Sequence, residues 1–214
     1  MKSITRFFLL LLLLTSTFSF AQKTMTEGLI TYVIDIKNGS TKVSSAVNTV
    51  YLKGSQARID MVSALGNEST IADAKTGNAV ILKEYSGQKL MITLTKENWL
   101  EKNRKFDDAV FTVSDEVKSI IGYNCKKATG KLKDGSTITV YFTTDIVPVN
   151  KDYNTIFKNL PGLAMEYELS AGKTQYVYTV SKISMDAIPA SKFDVPKSGY
   201  RIMTYEENKQ IKKG

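Results

Sequence analysis

The sequence predicts a mainly β protein, a single antiparallel meander with one or two short helices over the open face of its sheet. Three observations predict it. Apolar and polar residues alternate with period two along most of the chain, Gly and Asn punctuate those runs at hairpin spacing, and stretches with helical periodicity are few.

Taken in order, Ile30, Tyr32, Ile34 and Ile36 share one face of the first long strand, since successive side chains of a strand point to opposite sides. Ala46, Val50 and Leu52 repeat the pattern, followed by Ala57, Ile59 and Met61 opposite Arg58 and Asp60. Leu90, Ile92 and Leu94 form another apolar row, as do Ile138, Val140 and Phe142, and then Met165, Tyr167 and Leu169 opposite Glu166 and Glu168. The last long strand runs from about Thr174 to Ile183, with Tyr176, Tyr178 and Val180 on one side. Between these runs fall Asn38-Gly39, Thr76-Gly77, Ser86-Gly87, Asp134-Gly135 and Ala171-Gly172. Residues that tolerate positive φ suit the tight turns of hairpins, and consecutive hairpins make a meander.

Two segments read as helical. Thr95 to Lys105, with Trp99 and Leu100, forms one short helix. Asp152 is placed to cap a second, in which Tyr153, Ile156, Phe157 and Leu160 make one apolar stripe and Pro161-Gly162 ends it. That stripe needs an apolar partner, and the open face of the sheet supplies one. The polar end from Glu206 to Gly214 reads as a frayed tail.

The N-terminus reads as an export signal. Lys2 and Arg6 precede the unbroken apolar run Phe7 to Leu14, and Ser19-Phe20-Ala21 offers small residues for cleavage after Ala21. A membrane span needs roughly 20 apolar residues, and Thr15, Ser16, Thr17 and Ser19 interrupt this run early. A lipoprotein signal needs a Cys next to the cleavage site, whereas the only Cys is Cys125. The expected organisation is therefore a signal peptide over 1–21, one β domain over 22–204 and a polar tail over 205–214, in a periplasmic protein, with secretion as the alternative. After cleavage nothing is expected to span the membrane.

Composition narrows the chemistry. The chain contains no His, which removes Ser-His and Cys-His nucleophile systems and the commonest metal ligand. One Cys cannot form an internal disulfide, so the core alone must hold the fold. The net charge of +8 is scattered through turns and polar strand faces, a solubility feature in place of a nucleic-acid patch. No Gly-rich phosphate loop is present.

Ile121-Gly122-Tyr123-Asn124-Cys125-Lys126-Lys127-Ala128, then Phe157-Lys158-Asn159-Leu160-Pro161-Gly162-Leu163, resemble the GLPGLI family and related uncharacterised periplasmic domains. Asp73 to Leu82 and the ending Ser191-Lys192-Phe193-Asp194-Val195-Pro196 with Gly199-Tyr200 resemble the same domains. Asn159 and Ala164 stand where the name motif has its flanking Gly and Ile. The resemblance implies the half-open antiparallel barrel of LolA and LolB, the lipoprotein carriers, with helices over its opening.

Candidate sites follow from both readings. Cys125 reads as a buried, inert thiol. Glu166 and Glu168 share a strand face but alternate with Met165 and Tyr167, as on a solvated strand side. Asp107-Asp108 and Glu206-Glu207 lack the further oxygen ligands that calcium or magnesium requires. Tyr141, Tyr176 and Tyr178 raise the idea of a stacking platform. For an apolar ligand the expected lining is Ile138, Val140, Phe142, Ile156, Phe157, Met165 and Tyr167, with Leu160, Pro161, Gly162 and Leu163 either hinging a lid or forming a rigid turn. The expected function is a carrier for an acyl chain, a lipidated protein or another apolar ligand, or alternatively an envelope interaction module. No catalytic residue, metal or cofactor is expected, and the partner is a hydrophobic ligand or envelope lipoprotein.

Overall fold

A computed structural model of the chain describes residues 22–211, so the expected signal peptide lies outside the described residues. After β1 (Lys23–Met25), six strands run up and down in sequence order: β2 (Glu27–Asn38), β3 (Thr41–Lys53), β4 (Gln56–Ser63), β5 (Gly66–Asp73), β6 (Ala79–Tyr85) and β7 (Gln88–Leu94). Helix α1 (Lys96–Asn103) and a 3₁₀ turn at Arg104–Phe106 follow. The second half comprises β8 (Val110–Ile120), β9 (Tyr123–Lys131), β10 (Thr137–Thr143), β11 (Ile146–Pro148), a 3₁₀ segment at Lys151–Phe157, β12 (Leu163–Ala171) and β13 (Thr174–Ser184). A 3₁₀ turn at Ala190–Phe193, strand β14 (Arg201–Thr204) and helix α2 (Tyr205–Ile211) end the described chain.

Twelve strands form one sheet in the order β14-β7-β6-β5-β4-β3-β2-β13-β12-β10-β9-β8, which leaves two free edges and does not close into a barrel. The sheet is a pair of meanders joined where β13 pairs antiparallel with β2, from Thr174↔Asn38 to Ser184↔Leu29. β1 and β11 pair in parallel beside it, and their Met25 and Ile146 enter the main core.

This topology dictates where the helices lie. The chain leaves β7 near one edge of the sheet and must start β8 at the other. The connection crosses the concave face, and it carries α1. Thr95 caps that helix by accepting from the Asn98 backbone N–H, while the Asn98 side chain accepts from the Thr95 N–H. The expected helix at Thr95 to Lys105 is thus present, continued by its 3₁₀ turn. The expected helix from Asp152 is instead a 3₁₀ segment kinked at Asn154 (φ −137°, ψ 89°), and Asn150, not Asp152, occupies the flanking position. The apolar stripe survives the change: Tyr153, Phe157 and Leu160 are all buried against the sheet.

All five turns expected from Gly lie between paired strands, and each of those glycines has positive φ. The concave-face core gathers Ile30, Tyr32, Val50 and Leu52 from the first meander with Ile138, Val140, Phe142, Met165 and Val180 from the second. A smaller cluster, Ala79, Ile81, Ile92, Leu94 and Met203, covers the other end of the same face.

From Met185 to Tyr200 the chain straps the convex face. Glu27 accepts from the Ile188 N–H at 2.6 Å and from Lys53 at 2.6 Å, Arg58 donates to the Lys192 carbonyl at 3.1 Å, and Lys192 pairs with Asp60 at 3.2 Å. The strap delivers β14 to β7 in parallel register, Arg201↔Leu90 to Thr204↔Thr93. The end expected as a frayed tail is a correction: residues 205–211 form α2. Thr204 Oγ1 accepts from the Glu207 N–H at 3.2 Å while the Glu207 carboxylate accepts from the Thr204 N–H at 2.7 Å, and Tyr205 packs on the smaller core cluster.

Candidate functional site

Register places small residues where the rest of the concave face carries large ones. Leu52 stands opposite Ala57 across β3–β4, Ala57 opposite Ala72 across β4–β5, Ala72 opposite Ala79 across β5–β6, and Ala79 opposite Leu94 across β6–β7. Directly paired residues point to the same face. Three successive alanines between two leucines therefore cut a trough across the sheet at the boundary between the two core clusters.

A cleft of about 220 Å³ stands over this trough. Ala57 and Ala72 form part of its floor, Trp99 and Leu100 of α1 make one wall, and Tyr153 and Thr155 of the 3₁₀ segment make another. Trp99 packs on the cluster containing Ala72, while Leu100 is 52 % exposed at the rim. The aliphatic stem of Lys96 lies over Gly77, where an added Cβ would come within 2.6 Å of the lysine Cγ. Asp73, Asp107, Asp152 and Lys158 complete the rim, and Asp152 and Lys158 form an ion pair at 2.7 Å. An apolar cavity of about 150 Å³ holds a benzene ring, so this cleft has room for an aromatic ring or a short stretch of alkyl chain.

The 3₁₀ segment is held down beside the cleft. Lys151 donates to the Leu160 carbonyl at 3.3 Å, and Asn159 to the Ala109 carbonyl at 3.0 Å. Phe157 meets Tyr167 edge-on with ring centroids 4.6 Å apart, and Tyr167 stacks on Tyr178 at 4.6 Å. Burial drives the hydroxyl pKa values of Tyr32, Tyr153 and Tyr167 upward, so all three stay neutral.

The family model of a domain of unknown function, DUF4412, matches residues 27–166. The chain belongs to this family. The match runs from the start of β2 into β12, and so includes the alanine row, α1 and the 3₁₀ segment of the DUF4412 domain. No curated protein matches the chain in sequence. Among solved structures it is similar to PNGF-II, at 14% identity over 86% of this chain and 32% of that one with a TM-score of 0.48. It is similar also to MucB (10% identity, 81% of this chain and 58% of that one, TM-score 0.44). A third is the LolA superfamily protein NE2245 from Nitrosomonas europaea (8% identity, 81% and 92%, TM-score 0.36). The chain thus spans a third of PNGF-II's length.

The seven residues expected to line a ligand site are brought together on one side of the sheet. Ile138, Val140, Phe142, Met165 and Tyr167 are buried on the concave face, and Phe157 and the partly buried Ile156 come from the segment above them. They pack against one another, and the space beneath the segment is only about 10 Å³. Leu160 and Leu163 are fully buried, with Gly162 pressed on β10: an added Cβ would stand 1.9 Å from the Thr143 carbonyl oxygen. The open space lies to one side, over residues that composition alone did not single out. Alanines have no periodic signature, and the row appears only when the register of β4, β5 and β6 is known.

The remaining candidates fall apart as sites. Tyr141 lies on the convex face, bonded to Glu116, whereas Tyr178 is on the concave face against Tyr32 and Tyr167, so the stacking platform does not form. Glu166 binds Lys118 at 2.6 Å and accepts from Thr179 at 3.4 Å, on the outer side of β12. Cys125 is fully buried and its thiol is pushed up to about 11, chiefly by burial. Among the described residues no three His, Cys, Asp or Glu side chains gather to hold a metal, and no helix is long and apolar enough to cross a membrane.

Proposed function

We propose that this DUF4412 domain binds or carries a hydrophobic ligand, such as an acyl chain or a lipidated protein, in the periplasm after removal of residues 1–21. The alanine trough roofed by Trp99 carries the reading. A packed domain has no reason to leave Ala57 and Ala72 on the floor of a cleft beside an aromatic wall, because filling such a hollow with larger side chains would add stability. The resemblance of residues 121–128 and 157–163 to the GLPGLI family belongs to the same proposal.

In this reading the cleft receives the first part of the ligand. Ile138, Val140, Phe142, Ile156, Phe157, Met165 and Tyr167 form a deeper lining, uncovered when the 3₁₀ segment lifts about Leu160, Pro161, Gly162 and Leu163. Exposing each large apolar side chain costs about 1.5–3 kcal/mol. Lifting Phe157 and Leu160 together thus costs several kcal/mol, which a ligand must return through its own burial. The domain itself performs no catalysis in this account.

The test is displacement of a fluorescent apolar probe by acyl compounds, joined to native mass spectrometry of protein taken from its own envelope. Saturable displacement and a co-purified mass are expected, and a ligand-free, probe-indifferent protein contradicts the proposal. A docking role is the second reading, favoured by edge strand β8, where Val110, Val113 and Val117 are 69 %, 45 % and 57 % exposed. One reproducible partner crosslinked through β8, with no probe binding, would select it.

A further inference from the structure

Lys96, Trp99, Leu100 and Asn103 of α1 line the cleft. They stand at i, i+3, i+4 and i+7, which is one face of a helix. The contacts of α1 with α2 leave from its other side: Asn98 donates to Glu206 Oε1 at 2.6 Å, and Glu101 forms an ion pair with Lys209. At about 100° per residue, positions 98 and 101 centre half a turn away from the four that face the cleft. α2 itself lies against β14 and β7 at one edge of the sheet. α1 is therefore clasped between the cleft and α2. The two walls of the cleft are also held differently. Tyr153 and Phe157 of the 3₁₀ segment are buried in the main core, whereas no residue of α1 is buried and the helix rests on the sheet through the partly buried Trp99. An element with few buried apolar contacts is easily displaced, so the position of α1 depends on what stands behind it.

We infer that α2 sets the width of the cleft, and that this width makes the carrier proposed above selective for unbranched alkyl chains. Glu206 and Lys209 are positioning residues: neither lines the cleft, and both act through α1. A linear chain lies on the methyl groups of Ala57 and Ala72 with both walls in place. A branched chain needs a wider gap there, and opening that gap drives α1 against α2.

The inference rests on the carrier reading, and its test separates the two. Trp99 is the only tryptophan of the chain and reports on the α1 wall directly. Its emission is titrated with n-decanol and with a highly branched isomer of the same formula, using the protein lacking residues 1–21. The two alcohols differ in shape and not in head group or carbon count. A roughly ten-fold preference for the linear isomer is expected, the scale on which an apolar pocket distinguishes alkyl groups. Glu206→Ala combined with Lys209→Ala removes both the tethers and the bulk behind α1, so the branched isomer should bind several-fold tighter while the linear one binds as before. A gain in binding does not come from a damaged fold, and the melting temperature should fall by no more than a few degrees, since exposed polar pairs contribute little. Equal affinities for the two isomers in the unsubstituted protein, or a preference that the double substitution leaves intact, overturn the inference and leave the apolar cleft standing. Binding of neither isomer overturns the carrier reading as well. If the double variant does not fold, the same comparison on Lys209→Ala alone decides.

Discussion

Ala57 and Ala72 stand directly opposite each other across the β4–β5 pair, the first buried at 3 % exposure in the main core and the second opening into the cleft beneath Trp99. Each carries a single methyl group where Leu52 and Leu94, at the ends of the same cross-strand row, carry four-carbon side chains. The hollow is thus a property of residue size at a fixed register.

Ala72→Leu places three more carbon atoms in that hollow. The expected outcome is loss of probe and alkyl-chain binding with stability changed by about 1 kcal/mol or less, because the new side chain enters space already open. Thermal unfolding and probe titration on the same preparation check it. A variant that binds as the original does would place the ligand elsewhere.

The strap across the convex face depends on a carboxylate. Burial alone raises the pKa of Asp60, but hydrogen bonds from Ser69, Arg58 and Lys192, with the charge of Arg58, outweigh it and hold the carboxyl below its ordinary value. A lowered folded pKa contributes stability that is full above the unfolded value near 3.9 and is lost as pH falls through the folded value. Stability from this contact should therefore stay level from pH 7 to about 5 and decline below about 4. Asp60→Asn should cost about 2 kcal/mol at pH 7 and shrink the acid-dependent part of the curve, as urea unfolding across that range will report.

Gly162 leaves no room for a methyl group against the Thr143 carbonyl. Gly162→Ala must push the 160–163 turn off β10, at a cost on the order of 3 kcal/mol. For a domain of this size that corresponds to a fall in melting temperature of roughly 6–12 °C. An unchanged melting temperature would mean that the turn is free to move at little cost.

Cys125 should resist thiol reagents at pH 8 in the folded protein and react at once in denaturant. Burial lifts its pKa to about 11, against about 8.5 for a free thiol. Here the folded state keeps its proton longer than the unfolded one, so the stability associated with the neutral thiol is full below about 8.5 and is lost as pH rises toward 11. Rapid modification at pH 8 without unfolding would contradict the burial.

Much of the sheet was legible because alternation is local. Ile30 to Ile36, Ile138 to Phe142 and Met165 to Leu169 all turn the expected face to the core. β8 was not legible: it is an edge strand whose pairing slips between Val113 and Val117 and whose exposed residues alternate with nothing. β5 hid for a related reason, since Gly66-Asn67-Glu68-Ser69-Thr70 offers no apolar face. The kinked 3₁₀ segment kept its apolar stripe while losing its helical hydrogen bonds, so spacing foresaw the buried side and not the backbone. The cleft was out of reach of periodicity altogether, because it arises where a non-local crossover sets Trp99 beside Ala57 and Ala72, which come from two different strands.

In the proposed carrier, an apolar chain lies on the trough beside Trp99. The decisive probe is an alkyl chain brominated near its end, a contact quencher of indole emission, titrated into the protein lacking residues 1–21. Saturable quenching of Trp99 that Ala72→Leu abolishes is the expected result. Quenching that rises linearly without saturation, or is the same in Ala72→Leu, would contradict it.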